Sequence, residues 1–114
     1  MTIRAVIVDD AGREYEVDGL RTGAYRIAFV DYAMERAHDG AGYGPGGRVR
    51  SRGPSAAIRA GAAGFLMRSA GTDLHRNPHT GNTRFDDGLE PIPSAALSLP
   101  DADQLTRLLA LDKP

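Results

Sequence analysis

The segment that most constrains the fold of this chain is a helix-forming stretch followed at once by a strand. Pro54 stands where a helix can begin, because a residue in the first helical turn needs no N–H. Ser55–Ala63 is rich in alanine, and Gly64 is a typical residue to end a helix. The apolar run Phe65–Ser69 then predicts a buried strand. A chain with this unit packs a helix on a sheet, and the small alanines allow a close approach.

Hydrophobic patterns before this unit predict three strands. Ile3–Val8 is rich in β-branched residues and Arg13–Val17 alternates with a period of two, so the pair predicts a β-hairpin. Its turn is expected in the Asp-Asp-Ala-Gly that separates the two runs. Asp18 and Gly19 predict a second turn, and Tyr25–Asp31 predicts a third, central strand.

The C-terminal part of the chain predicts one more strand and a second helix. Ser94–Leu99 is mostly apolar, and Pro100 opens a helix with an apolar stripe at Leu105, Leu108 and Leu109. Together these elements predict one small α+β domain with two flanking helices.

Length and composition fit such a domain and narrow its partners. The 114 residues, 41% hydrophobic and 25% charged, suit a single domain spanning 1–114. Fourteen basic side chains oppose fifteen acidic ones, a net charge of −1 that favours neither nucleic acid nor a membrane surface as partner. Cysteine is absent, which excludes disulfides and thiolate metal sites. No signal peptide and no apolar run of about 20 residues is recognisable, so we expect a soluble chain.

Two motifs before the predicted helix are expected to carry no chemistry. The glycines of residues 40–47 suggest a phosphate-binding loop, but an arginine-rich stretch separates them from the helix, so a flexible connection is expected. Arg48, Arg50 and Arg52 alternate, which on an extended segment would place all three on one side as an anion clamp. A solvated strand face is the favoured interpretation.

The long polar stretch of residues 72–93 is the main candidate for function. A loop of this length is uncommon in a compact domain and is usually functional or mobile. His75 and His79 have the spacing of a helical zinc pair, but Pro78 between them argues against a helix. The glutamate of a zinc-protease motif is also replaced by Arg76. No catalytic residue, metal or cofactor is therefore predicted, and a small metalloenzyme built on both histidines and an aspartate stays an alternative.

The second half of the chain carries a specific series of motifs. They are Arg50-Ser51-Arg52-Gly53, Ala56–Ser69, Pro78-His79-Thr80-Gly81, Arg84–Gly88, Ile92–Ala96 and Ser98–Leu105. This series resembles the protease-associated domain inserted in zinc-dependent exopeptidases of the plasma glutamate carboxypeptidase type. The resemblance covers residues 25–113 and does not explain residues 1–20.

The resemblance implies both a fold and a role. The implied fold is a β-sandwich or a swivelling β/α domain with two flanking helices. Such domains lie beside or over a peptidase cleft, where they restrict substrate access, bind substrate or support dimerisation. Zinc in the family is held by a separate peptidase domain, so no cofactor is expected in this chain. The parent enzyme would be a zinc-dependent aminopeptidase or carboxypeptidase that is secreted or periplasmic.

The leading hypothesis is therefore a non-catalytic domain that gates substrate access or mediates protein or peptide interaction. Its expected partners are a peptidase domain, a peptide substrate or a second copy of the chain. The expected partner-facing side chains all lie on the long polar stretch: His75, Arg76, His79, Arg84, Asp86 and Asp87. The alternative from another class is an engineered, excised or rearranged scaffold without function of its own, which the unexplained residues 1–20 suggest.

Overall fold

The computed structural model describes residues 3–8, 14–20, 24–79 and 81–111. Within these ranges five strands and two helices follow one another along the chain. They are β1 (Ile3–Val8), β2 (Glu14–Leu20), β3 (Ala24–Val30), α1 (Tyr43–Arg59), β4 (Gly64–Arg68), β5 (Ser94–Leu97) and α2 (Leu99–Leu111). This succession of strands and helices is the one that the sequence predicts.

The strands form one mixed sheet in the order β2-β1-β3-β4-β5. β1, β3, β4 and β5 are parallel neighbours, and β2 pairs antiparallel with β1 at the edge. The predicted hairpin of β1 and β2 is confirmed, while its turn lies outside the described residues. The turn predicted at Asp18 and Gly19 is wrong, because both residues belong to β2, where the pairing register shifts opposite Ile3 and Ala5.

The two helices cover opposite faces of the sheet. Successive side chains of a strand alternate between the two faces, and each set packs against a different helix. Phe29 of β3 packs with Ala102 of α2 on one face. Phe65 and Met67 of β4 pack with Ala57 of α1 on the other. The α+β class and the two flanking helices are thus confirmed. All described strands lie in this one sheet, and the sandwich form stays unconfirmed.

Helix α1 begins at Tyr43, well before the predicted start at Pro54. It includes most of the glycines that were expected to form a flexible connection, so that prediction is wrong. The physical reason is close packing. Gly46 is buried, and a Cβ built on it would lie 3.4 Å from side-chain atoms of Met34 and Ala70. These tertiary contacts outweigh the weak helix propensity of glycine.

The same helix separates the three alternating arginines. With 3.6 residues per turn, a helix places Arg50 on a different side from Arg48 and Arg52. Arg48 and Arg52 are exposed, whereas Arg50 is half-buried. Neither the expected solvated strand face nor a clamp of all three arginines therefore forms.

Helix α1 ends in a cap that differs from the predicted one. Gly61, with a φ of 88°, donates its N–H to the carbonyl of Ile58 at 2.9 Å, and the N–H of Ala62 donates to the carbonyl of Ala57 at 2.9 Å. This pair of bonds is a Schellman motif, which needs a residue in the left-handed conformation and so favours glycine. Gly64, predicted to end the helix, instead begins β4.

Helix α2 begins with a serine cap. The hydroxyl of Ser98 accepts a hydrogen bond from the N–H of Asp101 at 3.2 Å, which satisfies one donor of the first turn. Leu109 is buried and Leu105 packs on the same cluster, as the predicted stripe requires. Leu108 is 53% exposed and does not belong to this cluster, so the prediction that it forms part of the apolar stripe is wrong. Neither described helix is long and apolar enough to cross a membrane.

Residues 69–93, here called the crossover segment, join the parallel strands β4 and β5. Such a connection is usually a helix, but this one is irregular in its described part. It runs beside α1 in the same direction. His79 contacts Tyr43 at the start of the helix, and Asp86 contacts Arg59 at its end. The stretch singled out in the sequence is therefore packed along α1.

Candidate functional site

Two buried serines fix the crossover segment to the domain. Ser69 is 1% exposed, and its hydroxyl donates to the carbonyl of Leu97 at 2.7 Å and accepts from the N–H of His79 at 2.9 Å. Ser55 of α1 is also buried and accepts from the N–H of Asp86 at 2.9 Å. An intramolecular hydrogen bond contributes about 1 kcal/mol. The segment therefore holds a definite shape although it contains no regular element in its described part.

His79, Tyr43 and Arg50 form a chain of contacts between the crossover segment and α1. The Tyr43 hydroxyl lies 3.0 Å from His79 Nε2, and the two rings meet edge to face with centroids 5.8 Å apart. Arg50 Nη2 donates to the same hydroxyl at 3.2 Å. Because the hydroxyl accepts from Arg50, its own proton is available to His79 Nε2. This chain positions the exposed imidazole at the start of α1.

Arg76 and His75 lie elsewhere, near the start of α2. Arg76 Nη2 donates to Asp101 Oδ1 at 2.5 Å. His75 Nε2 lies 3.3 Å from the Asp73 carboxylate, and its Nδ1 accepts from the N–H of Asn77 at 3.2 Å. Both predicted side chains are exposed, so they extend the polar surface beyond α1 toward α2.

The remaining predicted side chains line an open groove beside the second half of α1. Its walls are Ser51, Arg52, Arg84, Phe85, Asp86 and Asp87. Asp86 also pairs with Arg59 at 2.7 Å, and because both groups are well exposed the pair contributes only about 0–1 kcal/mol. The groove thus offers charges of both signs, which suit the amides and the two termini of a peptide.

The six residues predicted from the sequence share one segment but divide among three places. His75 and Arg76 lie near the start of α2, His79 at the start of α1, and the other three at the groove. That these side chains face a partner stays a prediction.

The histidine pair has no ligand set for a metal within the described ranges. There, no group of three His, Asp or Glu side chains is close enough to hold a metal ion. His79 meets Tyr43, and His75 meets the single carboxylate of Asp73. The arrangement required by the metalloenzyme alternative is therefore not formed in this part of the chain.

A pocket that the sequence did not reveal lies between α1, the crossover segment and the sheet. It encloses about 250 Å³ and is here called the Arg50 pocket. Arg50 and Pro54 of α1, Phe65 and Met67 of β4, and Gly81 and Thr83 of the crossover segment line it together with residues 94–96. No sequence motif could predict it, because its walls come from four separate stretches of the chain.

A charged cluster at the carboxyl edge of the sheet was also missed. Arg68 Nε donates to Asp31 Oδ1 at 2.5 Å, and its Nη2 donates to Asp103 of α2. Thr106 donates its hydroxyl proton to Asp31 Oδ2 at 2.7 Å. Burial acts to lower the pKa of Arg68, but the hydrogen bonds and charges of the two aspartates outweigh it and raise that pKa. The cluster joins β3, β4 and α2.

The cap of α2 gives a first testable prediction. The pKa of Asp101 lies below its usual value, mainly because the Ser98 hydroxyl donates to the carboxylate at 2.7 Å and secondly because of Arg76. We expect Ser98→Ala to raise the pKa of Asp101 more than Arg76→Gln does, in a carboxyl titration followed by NMR. The exposed Arg107→Gln is the control and should leave it unchanged. An unaltered pKa in Ser98→Ala would contradict this cause.

The sign of the associated stability effect follows from linkage. A carboxyl group whose pKa is lower in the folded than in the unfolded chain stabilises the fold above the unfolded pKa. The contribution of Asp101 is therefore present at neutral pH and is lost as the pH falls through its folded pKa. Ser98→Ala should reduce this acid sensitivity as well as the stability at neutral pH.

Comparison with curated proteins finds partial matches. No family model matches the sequence. Human Carboxypeptidase Q is 34% identical over 61 residues, which are 54% of this chain and 13% of that protein. Carboxypeptidase Q of Mus musculus is 31% identical over 67 residues, 59% of this chain and 14% of that protein. The chain thus spans only a small part of these relatives.

A solved structure matches over a longer stretch. The crystal structure of a Peptidase M28 precursor from Shewanella amazonensis is 38% identical, with a TM-score of 0.79. The match covers 98% of this chain and 26% of that chain, so it extends into residues 1–20, where the motifs gave no resemblance. The resemblance to a protease-associated domain of a zinc exopeptidase is confirmed, at partial coverage of those proteins.

Proposed function

We propose that this chain is a non-catalytic accessory domain of a zinc exopeptidase. The observation that carries the proposal is the relation of lengths: 98% of this chain matches only 26% of a Peptidase M28 chain. The other part of such a protein is large enough to hold a peptidase domain with its zinc ions. In this proposal the zinc belongs to that domain, and the present chain binds no cofactor of its own.

The crossover segment is the surface through which the domain acts in this proposal. Its side chains Arg84, Asp86 and Asp87 carry both signs of charge beside α1, and the backbone behind them is fixed by Ser55 and Ser69. A surface that is already ordered loses less conformational entropy on binding than a free loop does. Peptide substrate, or the rim of the peptidase cleft, is the partner that these charges suit. The domain would then restrict which peptides reach the zinc.

A chimera tests this proposal. The matched quarter of the Shewanella amazonensis peptidase would be replaced by the present chain, and the variants Arg84→Gln and Asp87→Asn would be made in the chimera. We expect each variant to raise KM several-fold, equivalent to about 1 kcal/mol of binding, with kcat and zinc content unchanged. Arg107→Gln on α2 is the matched control and should leave KM unchanged.

Two outcomes would overturn the proposal. One is an unchanged KM in both variants of an active chimera. The other is peptide hydrolysis by the 114-residue chain alone, supplied with zinc and a panel of dipeptides, if the turnover follows the pure protein through purification. The first result would contradict the role of the crossover segment, and the second would contradict the claim that the domain is non-catalytic.

A further inference from the structure

The Arg50 pocket contains a positive charge with an unused donor. Arg50 Nη2 donates to Tyr43, but Nη1 is buried and has no acceptor among the described residues. A buried donor without a partner costs about 1–3 kcal/mol, and more when the group is charged. None of the described residues that line the pocket is acidic. An anionic ligand would therefore supply the acceptor that Arg50 lacks, once the guanidinium turns Nη1 into the pocket.

The rest of the pocket is mostly apolar. Phe65 and Met67 are buried side chains of β4, Pro54 and Ala96 extend this apolar lining, and Thr83 and Ser94 add hydroxyl groups. A fully solvated anion such as phosphate would gain little from these walls, because most of its remaining oxygens would lose water without a replacement. A carboxylate attached to a small apolar group fits both parts, since guanidinium binds carboxylate with two parallel hydrogen bonds.

The size of the pocket limits the ligand further. A volume of about 250 Å³ is below the range of drug-sized ligands, roughly 300–1,000 Å³. It suits a single amino-acid residue. The crossover segment forms one wall at Gly81, where an added Cβ would lie only 2.5 Å from Arg50 Nε. Glycine at this position therefore leaves the room that the guanidinium occupies.

We propose that the Arg50 pocket binds the free carboxylate of a small apolar amino-acid residue, such as the C-terminus of a peptide. That the carboxylate belongs to a peptide rests on the proposed function, whereas the anion site itself rests on Arg50 alone. Binding requires the guanidinium to turn Nη1 toward the ligand. The contact with Tyr43 and His79 then links an occupied pocket to the middle of the crossover segment.

The test is a titration of the isotope-labelled 114-residue chain with N-acetyl-leucine, followed by NMR. We expect shifts at residues lining the pocket and a dissociation constant on the order of 1 mM, as for other ligands of about a dozen atoms. N-acetyl-leucinamide, which lacks the charge, and acetate, which lacks the apolar group, should each bind at least about tenfold more weakly, a difference of about 1.4 kcal/mol. Equal binding of the amide would overturn the proposal, as would equal binding of acetate.

Two variants locate the site. Arg50→Gln should weaken the binding of N-acetyl-leucine at least about tenfold. Arg48 is an exposed arginine on the same helix, and Arg48→Gln should leave the binding unchanged. Ala96→Leu fills the pocket from β5, because Ala96 lies on the same face of the sheet as Met67, and it keeps Arg50. It should also abolish binding, and it decides the matter if Arg50→Gln fails to fold. Unchanged affinity in a folded Ala96→Leu or Arg50→Gln would overturn the proposal, as would the absence of any shift in the unaltered chain.

These results are independent of the chimera experiment. If the ligand does not bind but Arg84→Gln still raises KM, the accessory function stands and the pocket is not a carboxylate site. If the ligand binds but the groove variants leave KM unchanged, the pocket stands and the role of the groove fails.

Discussion

Replacing Arg68 with methionine is expected to destabilise the domain by about 3 kcal/mol, the lower end of the range for removing one partner of a buried ion pair. The Arg68 side chain is 10% exposed and the Asp31 side chain 22% exposed, and the two are joined by a direct hydrogen bond. Methionine keeps much of the packing volume but leaves Asp31 without its cation. The remaining hydrogen bond from Thr106 cannot replace that charge.

The second aspartate of the cluster should matter less. Asp103 is 46% exposed, so water can solvate it when Arg68 is removed. We therefore expect most of the loss in Arg68→Met to come from Asp31. The cluster also holds the carboxyl ends of β3 and β4 against α2, at the point where the crossover segment leaves β4.

Urea denaturation of the 114-residue chain measures this loss. The matched control is Arg107→Met, the same substitution at an exposed position of α2, which should change the free energy of unfolding by no more than about 0.5 kcal/mol. If Arg68→Met were as stable as the control, the cluster would be an ordinary surface ion pair despite its burial.

The strands of this fold are largely readable from the sequence. Both runs are short: Ile3–Val8 is rich in β-branched residues and is followed by aspartate, whereas Phe65–Ser69 begins with three apolar residues directly after Gly64. Local pattern is sufficient there, because a buried strand needs little more than apolar side chains of the right length. The structure places β1 and β4 within one residue of these predictions.

The first turns of α1 could not be predicted from local pattern. A stretch with four glycines and a proline between Gly42 and Gly47 has weak helix propensity. It becomes helical because Gly46 packs closely on Met34 and Ala70, residues on either side of it in the chain. Such contacts arise only in the assembled domain, so propensity gave the wrong result.

The candidate site could be predicted only in part, because here too tertiary contacts are invisible in the local pattern. The polar side chains of residues 72–93 identify the segment, because nothing in them calls for burial. The residues that shape it are different ones. Ser55, Ser69 and Arg50 carry no motif, and their roles depend on partners brought close by the crossover between β4 and β5.

A pair of glycine substitutions in α1 should act in opposite directions. Gly53→Ala is expected to destabilise the domain by about 2 kcal/mol, within the usual cost of overpacking a core. An added Cβ would lie 2.5 Å from Cζ and 2.7 Å from Cε2 of Phe65. That ring is 3% exposed and packed between α1 and the sheet, so it cannot swing aside without disturbing its neighbours.

Gly47→Ala is the matched control, and it is expected to stabilise the domain by up to about 1 kcal/mol. It lies in the same helix, and the nearest atom to its added Cβ is Arg50 Nη2 at 3.9 Å, an ordinary contact. Without a clash, alanine gains only its higher helix propensity. Thermal unfolding measures both variants, and about 1 kcal/mol corresponds to roughly 4–8 °C for a domain of this size. A rise in melting temperature for both would show that helix α1 does not lie against Phe65 at Gly53, whereas the expected split would show that glycine at 53 is required for the close approach of α1 to the sheet.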